Sequence, residues 1–99
     1  MSYFTNRVIS ITHKKTTMRL TDIEWEAFNL ICQREKIKKN YLLEQINTYK
    51  NPQMNLTSSV RLFTTIYLFK LSTEKKEPQY MSSRLKPVKA IFAAIHSII

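Results

Sequence analysis

Not one of the 99 residues is glycine, and that absence limits the backbone more than any motif does. A residue that carries a Cβ enters the left-handed region only at a cost of about 1–2 kcal/mol. Two-residue hairpin turns, which favour Asn-Gly and Gly-containing pairs, are therefore disfavoured. The glycine-rich phosphate loops of nucleotide-binding enzymes are excluded. The first consequence falls on residues 7–20. Val8, Ser10 and Thr12 alternate with Ile9 and Ile11, and a second alternation runs through TTMRL, so both stretches read as extended. With only His13, Lys14 and Lys15 between them and no glycine, the expectation is two separate extended pieces rather than a hairpin.

At Thr21 the hydrophobic period changes. Thr-Asp-Ile-Glu supplies a capping box, with the Thr21 hydroxyl and Glu24 carboxylate on free amides at a helix start. Trp25, Phe28, Ile31, Cys32 and Glu35 then follow at spacings of three and four, with Glu26, Asn29 and Gln33 on the polar back. This first helix should end near Lys36. A short basic link, Lys36 to Lys39, precedes a second stripe of Leu42, Leu43, Ile46 and Tyr49, a helix from about Lys39 to Tyr49. Asn51-Pro52 breaks the pattern. Asn55 or Thr57 can cap a third helix ending near Leu71, with Val60, Phe63, Ile66, Tyr67 and Lys70 along one face. Its other face carries Leu62, Leu68 and Phe69, so this helix is expected to be well buried. Residues 72–83 read as a polar linker. Pro87 suits a helix start, and the segment 84–99 as an apolar helix or tail.

Sixteen Lys and Arg against seven Asp and Glu give a net charge of +9, which favours polyanionic partners over catalysis. Residues 1–20 carry Arg7, Lys14, Lys15 and Arg19 with no acid, whereas Asp22, Glu24, Glu26 and Glu35 face only Arg34 in residues 21–35. Basic and acidic surfaces should thus be separate. With 43% hydrophobic residues the chain can fold, but at this length a dimer would relieve its small margin of stability. Cys32 is the single cysteine, so no intrachain disulfide forms and a reducing, cytoplasmic setting in a bacterium or phage host is expected. The N-terminus lacks the apolar core of a signal peptide. The longest apolar run near residues 90–95 is far short of the roughly 20 residues that span a bilayer, so no transmembrane segment is expected.

In the strand Lys15–Leu20, side chains alternate, placing Thr16, Met18 and Leu20 on one side and Lys15, Thr17 and Arg19 on the other. The second set consists entirely of hydrogen-bonding groups. A lone strand leaves its backbone unpaired, and the same strand of a second copy is its expected antiparallel partner. Such a two-stranded ribbon fits the major groove of double-stranded DNA, where Arg takes guanine in bidentate fashion and Thr or Lys reach base edges or phosphate.

From Arg7 to about Leu71 the chain resembles the ribbon-helix-helix DNA-binding proteins, and within them a small bacterial subgroup with a third helix. That subgroup reads roughly R-S-V-x-I-x-G-H-x-T-S-I-S-L-E, then an aromatic-bearing helix, a second helix, and N-L-S-S-A-x-R-x-F. Here Arg7, Ile9, Ile11, Thr16, Thr17, Met18 and Leu20 stand in the first block, followed by E-W-E-A-F and by N-L-T-S-S-V-R-L-F from Asn55 to Phe63. The resemblance implies a mainly α fold with a short N-terminal strand: an intertwined homodimer with an intersubunit two-stranded antiparallel ribbon, plus a third helix, over residues 7–71. It implies that Lys15, Thr17 and Arg19 read bases. The start of the second helix, at Lys38, Lys39 and Asn40, would clamp phosphate, with Lys14 as a further phosphate contact. Departures fall at Lys36 and His13, where the pattern has glycine, and at Lys38, where it has a capping Ser or Thr. Lys36 would then bear the cost of a left-handed backbone.

Blander roles stand beside these. Lys15, Thr17 and Arg19 also suit a solvated edge strand that resists aggregation, and Lys36, Lys38 and Lys39 a solvated loop. Trp25, Phe28, Phe63 and Tyr67 fall on helical stripes and are expected in the core. Cys32 reads as a small buried hydrophobe, and neither His13 nor His96 has partners at metal-ligand spacing, so no metal or other cofactor is expected. Arg61 either contacts DNA or covers a carboxylate of the first helix. Residues 84–99 read as a docking helix over the core, a membrane-surface segment or a disordered tail. The leading function is a sequence-specific DNA binder acting as a transcriptional repressor. The alternatives are an antitoxin-like DNA binder whose residues 72–99 bind a protein partner, and a small protein-interaction or membrane-surface adaptor. An enzyme is the weakest reading, since Asp22 is the only aspartate.

Overall fold

A computed structural model describes residues 3–73 and, beyond them, Val88, Ile91 and Phe92. Two strands, β1 (Phe4–Ile11) and β2 (Lys14–Thr21), are followed by three helices: α1 (Asp22–Glu35), α2 (Lys39–Tyr49) and α3 (Leu56–Thr73). The strands form a two-stranded antiparallel ribbon within one chain, registered from Phe4 opposite Thr21 to Ile11 opposite Lys14. This corrects one expectation: the two extended pieces do form a hairpin, so β2 pairs along one edge with β1 of its own chain.

The turn closes without glycine because Thr12 and His13 both take positive φ, 49° and 66°, the combination a two-residue type I′ turn requires. The left-handed region is costly for both, most of all for a β-branched threonine. Compensation comes from far along the chain: the Thr12 amide donates to Oε2 of Glu44 in α2 at 2.8 Å, and its hydroxyl donates to the Ile11 carbonyl at 2.7 Å. The turn is thus fastened to a helix 32 residues away.

Thr21 caps α1 as its sequence requires. Its hydroxyl accepts from the Glu24 amide at 3.2 Å while Glu24 Oε1 accepts from the Thr21 amide at 2.8 Å, so two otherwise free donors are satisfied. At the other end Lys36 sits at φ 58°, ψ 46°, with its amide on the carbonyls of Cys32 and Gln33. Ile37 donates to the Cys32 carbonyl at 3.1 Å, the left-handed helix stop that glycine usually provides. Both places where the resemblance expected glycine, His13 and Lys36, are therefore left-handed. Lys38 stands at the N-cap of α2 and makes no side-chain capping bond. Asn55 rather than Thr57 caps α3, its Oδ1 accepting from the Ser58 amide at 2.8 Å.

The helices bury the apolar stripes. Trp25, Phe28, Ile31 and Cys32 of α1, Leu42, Leu43 and Ile46 of α2, and Val60, Phe63 and Tyr67 of α3 meet Ile9, Met18 and Leu20 beneath the ribbon. Burial of each large apolar side chain contributes about 1.5–3 kcal/mol. Val88, Ile91 and Phe92 join the same core, Phe92 stacking on Phe63 at 6.2 Å between centroids. Residues 74–87, which include most of the expected polar linker, lie outside the described residues, as does the remainder of the segment 84–99. The back of α3 is less buried than expected: Leu62 and Leu68 are half-buried and Phe69 is exposed. No helix among the described residues is long and apolar enough to cross a membrane.

Candidate nucleic-acid interface

The ribbon separates its side chains sharply. Met18 and Leu20 point into the core, whereas Lys15, Thr17 and Arg19 are exposed on the opposite face. The register places Ser10 opposite Lys15, Val8 opposite Thr17 and Asn6 opposite Arg19, and directly opposed residues share a face. The outer surface therefore carries two cations, three neutral hydrogen-bonding side chains and the exposed Val8. No acidic residue occurs between Phe4 and Thr21. Asn6, Val8 and Ser10 were not singled out from the sequence as site candidates. Their alternation was visible, but their place beside Lys15, Thr17 and Arg19 depends on a hairpin that the missing glycine argued against.

Among the described residues, hydrogen bonding leaves an edge of this ribbon open. Asp22 donates to the Tyr3 carbonyl at 3.1 Å, which makes Tyr3 and Asp22 a bonded pair. Bonded and non-bonded pairs alternate along an antiparallel ladder. Thr5–Leu20, Arg7–Met18, Ile9–Thr16 and Ile11–Lys14 are then also bonded, and the backbones of Lys15, Thr17 and Arg19 face away from β1.

Three of the four acids of α1 are engaged. Asp22 accepts a hydrogen bond from the Thr5 hydroxyl, and Glu35 accepts one from Tyr67. Burial and that bond both push the Tyr67 phenol well above its usual range. Burial also pushes at the Glu24 carboxyl, upward, but the backbone and hydroxyl of Thr21 together with the Arg61 guanidinium outweigh it and hold the group below its usual value. Arg61 thus covers a carboxylate of α1, its Nε 2.9 Å from Glu24 Oε2.

The expected phosphate contacts divide between two places. Lys14 is exposed at the hairpin end, while Lys38 and Asn40 are exposed at the start of α2 and Lys39 is half-buried there. Trp25 ties the second place to the ribbon. Its indole Nε1 donates to the Thr5 carbonyl at 2.9 Å, and its ring lies 5.2 Å from the Arg7 guanidinium and 5.7 Å from the Lys39 ammonium. Such contacts hold a cation near an aromatic face. The uncapped first-turn amides of α2 stand beside these charges, and helix N-termini favour anions. Arg7 was not among the residues expected at this site; the signals for it were its place in an acid-free segment and its match to the first position of the family pattern. Cys32, buried near Lys39, is not part of the surface. Burial pushes its thiol up to about 11, with Lys39 pulling the other way.

Chemically this is a surface for recognition: a stiff cationic ribbon with hydrogen-bonding side chains, flanked by a cationic helix start. No curated protein and no solved structure matches the chain. A family model described as a ribbon-helix-helix domain matches residues 4–68, which takes in both strands, α1, α2 and most of α3. On that match, with the antiparallel ribbon and the helices that follow it, the chain belongs to the ribbon-helix-helix family, whose members are in general DNA-binding regulators of transcription.

Proposed function

We propose that this chain is a sequence-specific DNA-binding repressor that acts as a homodimer, reading the major groove with Lys15, Thr17 and Arg19. The observation that carries the reading is the outer face of the ribbon, where those three side chains stand exposed over a buried Met18 and Leu20. Arginine suits a guanine edge, and threonine and lysine suit other base-edge acceptors. Lys14, Lys38, Lys39 and Asn40 contact phosphate, which fixes register and makes affinity fall with salt. Repression follows sterically from occupancy of operator DNA.

The open edge of β2 supports the dimer. Two copies joined antiparallel through it would form a sheet in the order β1-β2-β2-β1. Strands about 4.8 Å apart put the two β2 strands within a groove about 12 Å wide and the β1 strands, about 14 Å apart, over its rims. The expected intersubunit ribbon then becomes the middle pair of four strands. Beside that edge, an apolar groove runs from Leu20 between α1 and α3, past Ile23, Ala27, Val60 and Leu68. Exposed Leu30 continues it, giving a second copy apolar surface to cover.

The test begins with binding-site selection from random duplexes, followed by mobility shifts and sedimentation. Lys15→Ala/Thr17→Ala/Arg19→Ala should lose preference for the selected duplex yet sediment as a folded dimer. Undiminished preference in that variant, or a wild-type chain that is monomeric on its DNA, would overturn the proposal.

A further inference from the structure

Arg19 does not project freely from the ribbon. Its guanidinium carbon lies 4.7 Å from the ring centroid of Phe4, an aromatic side chain 51% exposed on the same outer face. Phe4 stands opposite Thr21, diagonal to Arg19, within reach of a long cross-strand side chain. A second guanidinium, that of Arg61 in α3, lies 5.6 Å from the same ring. Arg61 is ion-paired to Glu24, which also closes the Thr21 capping box. The ring is therefore fixed at the junction of ribbon, α1 and α3. Of the two arginines over it, only Arg61 has a carboxylate partner among the described residues.

We propose that Phe4 is a positioning residue for Arg19: the ring, backed by the Arg61–Glu24 pair, holds the guanidinium ready to read a guanine edge. The inference rests on the DNA-reading role of the ribbon. A freely rotating arginine loses much side-chain entropy when it makes a bidentate contact, whereas a planar guanidinium laid on a ring is already oriented. The ring meets one side of the group, and a guanidinium carries five N–H donors, so donors stay available for the paired acceptors of guanine, N7 and O6. The third helix thereby contributes to base selection without touching a base.

The experiment compares wild type with Phe4→Leu, which keeps apolar bulk without a ring, and with Phe4→Tyr, which restores the ring. In the free protein, nitrogen-15 relaxation at Arg19 Nε should show an ordered group in wild type and Phe4→Tyr and a mobile one in Phe4→Leu. On the selected duplex, Phe4→Leu should lose about tenfold discrimination at a single guanine, with an unchanged salt slope and wild-type behaviour in Phe4→Tyr. A loss on that order matches the cost of one weakened base contact. Equal mobility of Arg19 in wild type and Phe4→Leu overturns the positioning role. An ordered Arg19 in a wild-type protein that selects no sequence overturns the DNA-reading role, and the inference with it. Uniform weakening of Phe4→Leu on all sequences also counts against it, because a merely structural residue would act that way.

Discussion

Replacing Lys36 by glycine should make this protein more stable, although glycine ordinarily weakens a chain. Lys36 closes α1 at φ 58°, ψ 46°, where crowding between Cβ and the carbonyl costs about 1–2 kcal/mol. Glycine removes that cost but adds about 0.5–1 kcal/mol of unfolded-chain entropy, so the net gain at the middle of both ranges is about 0.75 kcal/mol. His13→Gly, at φ 66° in the hairpin turn, should gain by the same argument. For a domain of this size such a gain raises Tm by about 3–6 °C. Glu26→Gly provides the control, since Glu26 is exposed inside α1 and glycine there should cost about 1 kcal/mol. Urea unfolding followed by circular dichroism, at one fixed protein concentration so that self-association is held constant, should move the midpoint in opposite directions with an unchanged m-value. The reasoning is refuted if Lys36→Gly loses as much stability as Glu26→Gly.

Trp25→Phe removes the indole donor on the Thr5 carbonyl and should cost about 1–2 kcal/mol, read by circular dichroism; a neutral result would contradict the role given to that bond. Cys32, buried and with its thiol raised to about 11, should resist a thiol-specific disulfide reagent at neutral pH until urea unfolds the chain; fast labelling of the native protein would contradict its burial. The Glu24 carboxyl is held below its usual value of 4.5, so its contribution is complete above that pH and is lost as pH falls through the lower folded value. Glu24→Gln should flatten the acid limb of the stability profile, and an acid limb identical to wild type would count against the Thr21–Glu24–Arg61 network.

How far the sequence revealed this fold can be traced residue by residue. Helix periodicity and local chemistry carried α1 and α2, because Thr21 and Glu24 act within four residues of each other and the α2 stripe is uninterrupted. The two faces of β2 were equally legible, since strand alternation alone assigns Met18 and Leu20 inward and Lys15, Thr17 and Arg19 outward. The hairpin was not. Its left-handed turn is held by Glu44, 32 residues away, and a contact across that separation leaves no local signal. The exposure of Phe69 is likewise set by which face of α3 the rest of the chain covers. Phe4 escaped notice for a related reason: Arg61 could be read as the cover of an α1 carboxylate, but only the folded register places Arg61 and Arg19 over the ring of Phe4.

The central claim, that the ribbon reads bases from the major groove, is tested most directly by methylation interference on the selected duplex. Dimethyl sulfate marks guanine at N7 in the major groove and adenine at N3 in the minor groove. Methylated N7 at guanines within the site should exclude duplexes from the bound fraction, and Arg19→Ala should remove that effect at one guanine. Interference from adenine N3 with none from guanine N7 would contradict the account.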